Sequence, residues 1–169
     1  MPRILLGLGG NLGDRATNMR AAIAGLTRFL NVSAVSPVYE TAPMYLKDQP
    51  AFLNLALTAE TDMAPASLLA AVKYLEQRLG RVPGVRYGPR PIDIDILLYG
   101  LNVETADDLT IPHPRMAERG FVLVPAADVA GDWVHPVLGQ TIGGMLASLA
   151  STADVVPYRD QALAMAATG

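Results

Sequence analysis

Ile92-Asp93-Ile94-Asp95-Ile96-Leu97-Leu98-Tyr99 is the stretch from which the rest of the chain can be read. From Ile92 to Ile96 apolar and acidic residues alternate strictly, the period of a β-strand, so Asp93 and Asp95 share one face and Ile94 and Ile96 the other. Upstream, residues 81–91 carry Pro83, Gly84, Gly88 and Pro89 and read as a loop. Before it, Pro65 suits a first helical turn, Leu68, Leu69, Val72, Leu75 and Leu79 form an apolar stripe, and Gly80 marks the stop. Residues 52–61 alternate as a strand, residues 40–50 read as a loop, and residues 32–39 are rich in β-formers. Asp14 is placed to cap a helix with Met19, Ala22, Ile23, Leu26, Phe29 and Leu30 on its buried side, and residues 4–8 form a short apolar strand. The order β-α-β-β-α-β predicts an α+β, ferredoxin-like core with helices on one face of a sheet and additions from the C-terminal third. Those additions read as a turn at residues 112–115, a short helix at 116–120, an apolar stretch at 121–125 and a helix near 141–149. Residues 1–155 are expected to form a single domain, and the Ala-rich residues 156–169 a flexible tail.

Composition narrows the function without naming it. Among 169 residues, 51% are hydrophobic and 17% charged, enough for a core and typical of a globular chain. The net charge of −3 speaks against general nucleic-acid binding, which leaves a basic footprint. There is no cysteine, so thiolate chemistry and disulfides are excluded. The N-terminal apolar stretch is too short for a signal peptide and nothing approaches a membrane span, so a cytoplasmic chain without a membrane partner is expected. A monomer is expected as well. Six of the thirteen basic residues, Arg78, Arg81, Arg86, Arg90, Arg115 and Arg119, fall between positions 78 and 119. Such a cluster in an acidic chain is either a solvated face or an anion site, since guanidinium groups match phosphate oxygens.

Two carboxylates side by side on a strand repel each other unless a cation lies between them. Taken alone the pair reads as a polar strand face. Beside Arg90 it reads differently, because Mg2+ takes one or two carboxylates plus phosphate oxygens, and phosphoryl transfer needs metal, cations and positioning. Gly9-Gly10-Asn11 lacks the Gly-Lys-Ser/Thr ending of a phosphate loop and reads as a backbone turn, with Asn11 orienting loops. Met44 and Tyr45 read as loop packing.

Residues 86–97, RYGPRPIDIDIL, resemble the signature of the hydroxymethyldihydropterin pyrophosphokinases. The resemblance extends over residues 4–130, through Gly9-Gly10-Asn11-Leu12-Gly13, Ser36-Pro37-Val38-Tyr39-Glu40-Thr41, Asp48-Gln49-Pro50, Phe52-Leu53-Asn54, Glu76, Gly80-Arg81, Ile111-Pro112-His113-Pro114-Arg115-Met116 and Arg119-Gly120-Phe121. It implies transfer of pyrophosphate from ATP to a pterin alcohol in folate biosynthesis, with AMP leaving and two Mg2+ ions held by Asp93 and Asp95. Arg81 and Arg90 would act on the triphosphate, with Leu69, Glu76, Ile96, Thr110, His113 and Arg119 around ATP. The pterin would meet Thr41, Ala42, Met44, Asn54 and Asp93, between the rings of Phe52 and Phe121.

The chain departs from the family pattern at Tyr87, where some members carry tryptophan, at Pro91, where threonine is common, and at Gly10, a frequent serine. Asp108 stands where some members have a basic ATP contact. These departures bear on loop closure, ATP affinity and the choice of pterin. The competing readings are a relative retuned to another pterin, a metal-dependent nucleotidyltransferase, and a non-catalytic binding domain. The nucleotidyltransferase would need a third acid facing the pair and a Gly-Ser element before it, and neither is apparent.

Overall fold

The computed structural model describes residues 1–43, 45–82, 84 and 87–159. Among the described residues, eight strands and four α-helices follow in the order β1 (Arg3–Gly10), α1 (Arg15–Thr27), β2 (Asn31–Val35), β3 (Tyr39–Thr41), β4 (Phe52–Glu60), α2 (Pro65–Arg78), β5 (Asp93–Tyr99), β6 (Glu104–Ala106), β7 (Leu109–Ile111), α3 (Gly120–Ala130), α4 (Ile142–Ala147) and β8 (Val155–Pro157). Six of the strands make one antiparallel sheet in the order β5-β1-β4-β3-β8, with β2 also on β4. This is the expected ferredoxin-like plan with its second strand divided in two. The division falls at Ser36-Pro37-Val38, where Pro37 has no N–H for the ladder. Buried Ser36 bridges the gap: its Oγ accepts from the Ala56 N–H at 2.9 Å and its own N–H donates to the Ala56 carbonyl at 2.8 Å.

Helix boundaries follow their local signals. Asp14 caps α1 by accepting from the Thr17 N–H at 3.0 Å, Pro65 opens α2, and Gly80 beyond its end has φ +98°, a conformation that glycine adopts without strain. Strand alternation then sorts two cores. Ile4, Leu6, Leu8, Leu53, Leu55, Ile94 and Ile96 pack against α1 and α2, while Leu5, Ala56 and Leu97 pack against α3 and α4.

Five local expectations need correction. Residues 121–125, read only as an apolar stretch, are the start of α3, which covers the second face of the sheet. Its first residues, Phe-Val-Leu-Val-Pro, are uniformly apolar and carry no helical period. The expected loop at residues 40–50 begins two residues late, because Glu40 and Thr41 pair with Leu53 and Phe52. Val156 and Pro157, placed in the tail, belong to edge strand β8, and the Tyr158 N–H donates to the Val38 carbonyl. Residues 160–169 of that tail lie outside the described residues. The short helix at 116–120 is a 3-10 turn, Met116–Glu118, and β6 and β7 form a small hairpin that the sequence reading did not separate.

Candidate active site

A cleft of about 760 Å3 lies over Gly7 and Gly9 of β1, Asn54 of β4 and Asp93 and Asp95 of β5, with Lys73, Glu76 and Gln77 of α2 and Phe121 and Val122 of α3 in its walls. Its floor is set by register. Gly7 lies between Asp95 and Ala56, and Gly9 between Asp93 and Asn54. Glycine at position 9 is a steric requirement: a Cβ there would stand 2.6 Å from Asn54 Oδ1. At Gly10 a Cβ would meet the Pro91 carbonyl oxygen at 2.2 Å. The β1 glycines thus allow a polar side chain from β4 to lie across the floor beside the acids of β5.

At one end of the cleft the groups are amides and rings. Asn54 is 6% exposed and donates through Nδ2 to Thr41 Oγ1 at 2.6 Å, with Thr41 itself 2% exposed. Ala42 and the rings of Phe52 and Phe121 also line this space. Behind it, buried Asn11 ties three loops together. Its Oδ1 accepts from the Arg90 N–H at 3.0 Å, and its Nδ2 donates to Gln49 Oε1 and the Pro50 carbonyl, both at 2.9 Å. Gln49 Nε2 in turn donates to the carbonyls of Leu46 and Tyr87. The loop-orienting part expected of Asn11 is therefore met by explicit hydrogen bonds.

At the other end the groups are charged. Arg81 and Arg90 both lean on Asp93, at 3.6 and 3.7 Å. Arg81 also lies 3.5 Å from Glu76, a carboxylate 1% exposed that Lys73 approaches to 3.0 Å. Burial, and then the charge of Asp93, raises the Glu76 carboxyl above its ordinary range. Asp95 has no arginine partner at ion-pair distance among the described residues. Burial first, and the adjacent Asp93 charge second, push its carboxyl up to about 7. Burial, reinforced by the Arg119 charge, holds His113 down to about 4, so it is neutral at pH 7. Its Nδ1 accepts from the Arg115 N–H at 3.2 Å, which leaves the proton on Nε2 as a donor.

The acid pair fits a hard cation. No cluster of three or more metal-ligating side chains forms among the described residues, and two carboxylates on one strand face are the donor set with which Mg2+ completes its shell from water and phosphate. The carboxyl of Asp95 is raised by burial first and by the like charge of Asp93 second, and a cation there would relieve both.

Of the residues singled out in the sequence, Thr41, Ala42, Phe52, Asn54, Glu76, Arg81, Arg90, Asp93, Asp95, His113, Arg119 and Phe121 line this single cleft. Three others do not. The Ile96 side chain is buried in the α1–α2 core, Leu69 packs at the edge of that core, and Thr110 is exposed on β7. Met44 lies outside the described residues. Sequence reasoning missed Lys73 and Gln77, which read as ordinary exposed helix positions, and Gln49, whose role needs three segments in place. It also reduced Tyr45 to loop packing, whereas Tyr45 stacks on Tyr87 with ring centroids 4.3 Å apart.

Comparison with known proteins agrees with this geometry. Residues 5–131 match the family model described as 7,8-dihydro-6-hydroxymethylpterin-pyrophosphokinase (HPPK). The chain is 46% identical over 127 residues to a 2-amino-4-hydroxy-6-hydroxymethyldihydropteridine pyrophosphokinase of Bacillus subtilis, covering 73% of this chain and 75% of that one. It is 46% identical over 129 residues to a mitochondrial folate synthesis bifunctional protein of Pisum sativum, covering 76% of this chain and 25% of that protein. The chain thus spans about a quarter of the length of that bifunctional relative. Among solved structures, Plasmodium falciparum HPPK-DHPS with pteroate superposes with a TM-score of 0.72 at 18% identity, over 86% of this chain and 42% of that one, a likeness of fold. With a family match over three quarters of its length and the acid pair, arginines and buried amide in one cleft, the chain belongs to the 7,8-dihydro-6-hydroxymethylpterin-pyrophosphokinase family.

Proposed function

We propose that this chain transfers the pyrophosphoryl group of ATP to 6-hydroxymethyl-7,8-dihydropterin, giving the pterin diphosphate and AMP in folate biosynthesis. The observation that carries the proposal is that one cleft gathers a buried amide, two phenyl rings, the acid pair and the arginines, with Asp93 across Gly9 from Asn54. The alcohol oxygen forms a bond to the β-phosphorus and gives up its proton to water, while the bond from that phosphorus to the α,β-bridging oxygen breaks and AMP departs with that oxygen. Catalysis of this kind rests on positioning and charge stabilisation.

Asn54, oriented by Thr41, meets the polar edge of the pterin, with Ala42 at its border and Phe52 and Phe121 on its faces. Asp93, across Gly9 from Asn54, stands where the hydroxymethyl group meets the phosphates. Arg81 and Arg90 trade part of their attachment to Asp93 for the triphosphate. The buried Arg90 Nε, which lacks a hydrogen-bond partner, is suited to an incoming oxygen. His113 adds its Nε2–H and Arg119 its charge. Glu76 flanks the rest of the nucleotide. Two Mg2+ ions held by Asp93 and Asp95 would neutralise charge on the phosphates. We further propose that the fold works as a single domain, as a cytoplasmic monomer without nucleic-acid or membrane partners. No helix among the described residues is long and apolar enough to cross a membrane.

Incubating the chain with Mg2+, ATP and the dihydropterin alcohol tests the reaction. AMP and a pterin diphosphate should appear together and in equal amounts, and both should require the pterin. ADP as the nucleotide product would refute pyrophosphoryl transfer.

A further inference from the structure

At the mouth of the cleft Arg119 and Phe121 meet Tyr45, Tyr87 and Arg115, three side chains that the proposed chemistry leaves unassigned. The Tyr45 and Tyr87 rings stack at an interplanar angle of 28°. Arg119 Nε donates to the Tyr45 hydroxyl at 3.2 Å, and its guanidinium carbon lies 5.3 Å from the Tyr45 centroid and 5.5 Å from that of Phe121. Arg115 braces the stack: its Nη1 donates to the Tyr87 hydroxyl at 2.9 Å, and its guanidinium lies 5.4 and 5.8 Å from the two tyrosine centroids.

The contrast with the other cleft arginines is chemical. Arg81 and Arg90 rest against carboxylates, which offset their charge. Arg119 forms no ion pair among the described residues. Ring faces and a neutral hydroxyl fix a guanidinium in place without neutralising it. With Nε engaged by Tyr45, the terminal nitrogens are what Arg119 has left to offer. We infer that Tyr45 is a positioning residue that holds Arg119 over the cleft as an uncommitted cation for the phosphate chain of the nucleotide. The inference rests on the proposed function only in naming phosphate as the anion.

A double-mutant cycle read by calorimetry, using the full chain, Mg2+ and a non-hydrolysable ATP analogue, tests it. Arg119→Ala should weaken analogue binding roughly tenfold, as loss of a charged hydrogen bond does. Tyr45→Ala should weaken it about fivefold in the parent, the scale of an exposed cation–π contact with a hydrogen bond. In the Arg119→Ala background the same change should have almost no effect, and binding of 6-hydroxymethylpterin alone should stay close to the parent's. Equal losses in both backgrounds, or no loss in the parent, would overturn the inference. Tyr45→Phe, which keeps the stack and removes only the hydroxyl, extends the test should the alanine variant fold poorly. Its smaller loss must also vanish when Arg119 is absent. An intact cycle in a chain that makes no AMP would sink the proposed reaction and leave this inference standing. AMP formation with no coupling would do the reverse.

Discussion

The two ends of the cleft are built on opposite principles. At the amide end, buried partners are already joined: Asn54 to Thr41 at 2.6 Å, and Asn11 to Gln49, Pro50 and Arg90 at 2.9–3.0 Å. At the charged end, ion pairs between the arginines and acids are 3.5–3.7 Å long, a buried Arg90 nitrogen has no hydrogen-bond partner, and Asp95 carries an unrelieved electrostatic penalty. A neutral flat ring is recognised by donors and acceptors fixed beforehand, because any reorganisation subtracts from a modest binding energy. A polyanion with its metal ions arrives with enough charge to rearrange loose pairs. On the proposed reaction, rigid recognition at one end and deferred neutralisation at the other would be the physical division of labour.

The largest expected effect comes from the acids. Asp95→Ala should lower turnover roughly 10^3-fold, at the upper end of the cost of removing one group that stabilises a charged transition state, with the fold intact by circular dichroism. Near-normal activity in Mg2+ would break the charged half of the comparison. Next, Asn54→Ala removes a buried polar partner, roughly 1–3 kcal/mol, and should weaken pterin binding about 5- to 150-fold while sparing the ATP analogue. Gly9→Ala should imitate it, since the new methyl displaces the amide. Equal losses for both ligands would mean that the ends are not separate. Arg90→Ala should reduce analogue affinity about tenfold, whereas Arg81→Ala should mainly lower the catalytic rate in single-turnover measurements.

The smallest effect is on stability. The Asp95 carboxyl titrates near 7 in the folded, ligand-free chain against an ordinary 3.8, so the unfolded chain releases this proton first. The stability linked to a raised carboxyl is complete below about pH 4 and is lost as the pH climbs through 7. Ligand-free Asp95→Asn should therefore melt higher than the parent at pH 8, by about 2–4 °C per kcal/mol recovered, with the gap narrowing toward pH 4. A gap independent of pH would remove the penalty from the account.

What the sequence disclosed follows from what is local. The placement of Asp93 and Asp95 on one face needs only the two-residue period of a strand, and the caps at Asp14, Pro65 and Gly80 need only their immediate neighbours. The Tyr45–Arg119 contact joins residues 74 positions apart, and no periodicity encodes it. Lys73 looks like any solvated helix lysine until α2 is docked beside β5. Helix α3 escaped because buried elements lose the polar face that makes a period visible, and the three-residue β8 is defined by its partner β3 more than by its own residues.

The fate of the β-phosphorus separates pyrophosphoryl transfer from simple phosphoryl transfer. With ATP labelled at the β-phosphate and, separately, at the γ-phosphate, the account predicts that both labels move together into the pterin product in a single turnover, leaving unlabelled AMP. Transfer of the γ-label alone, with the β-label retained in ADP, would contradict it.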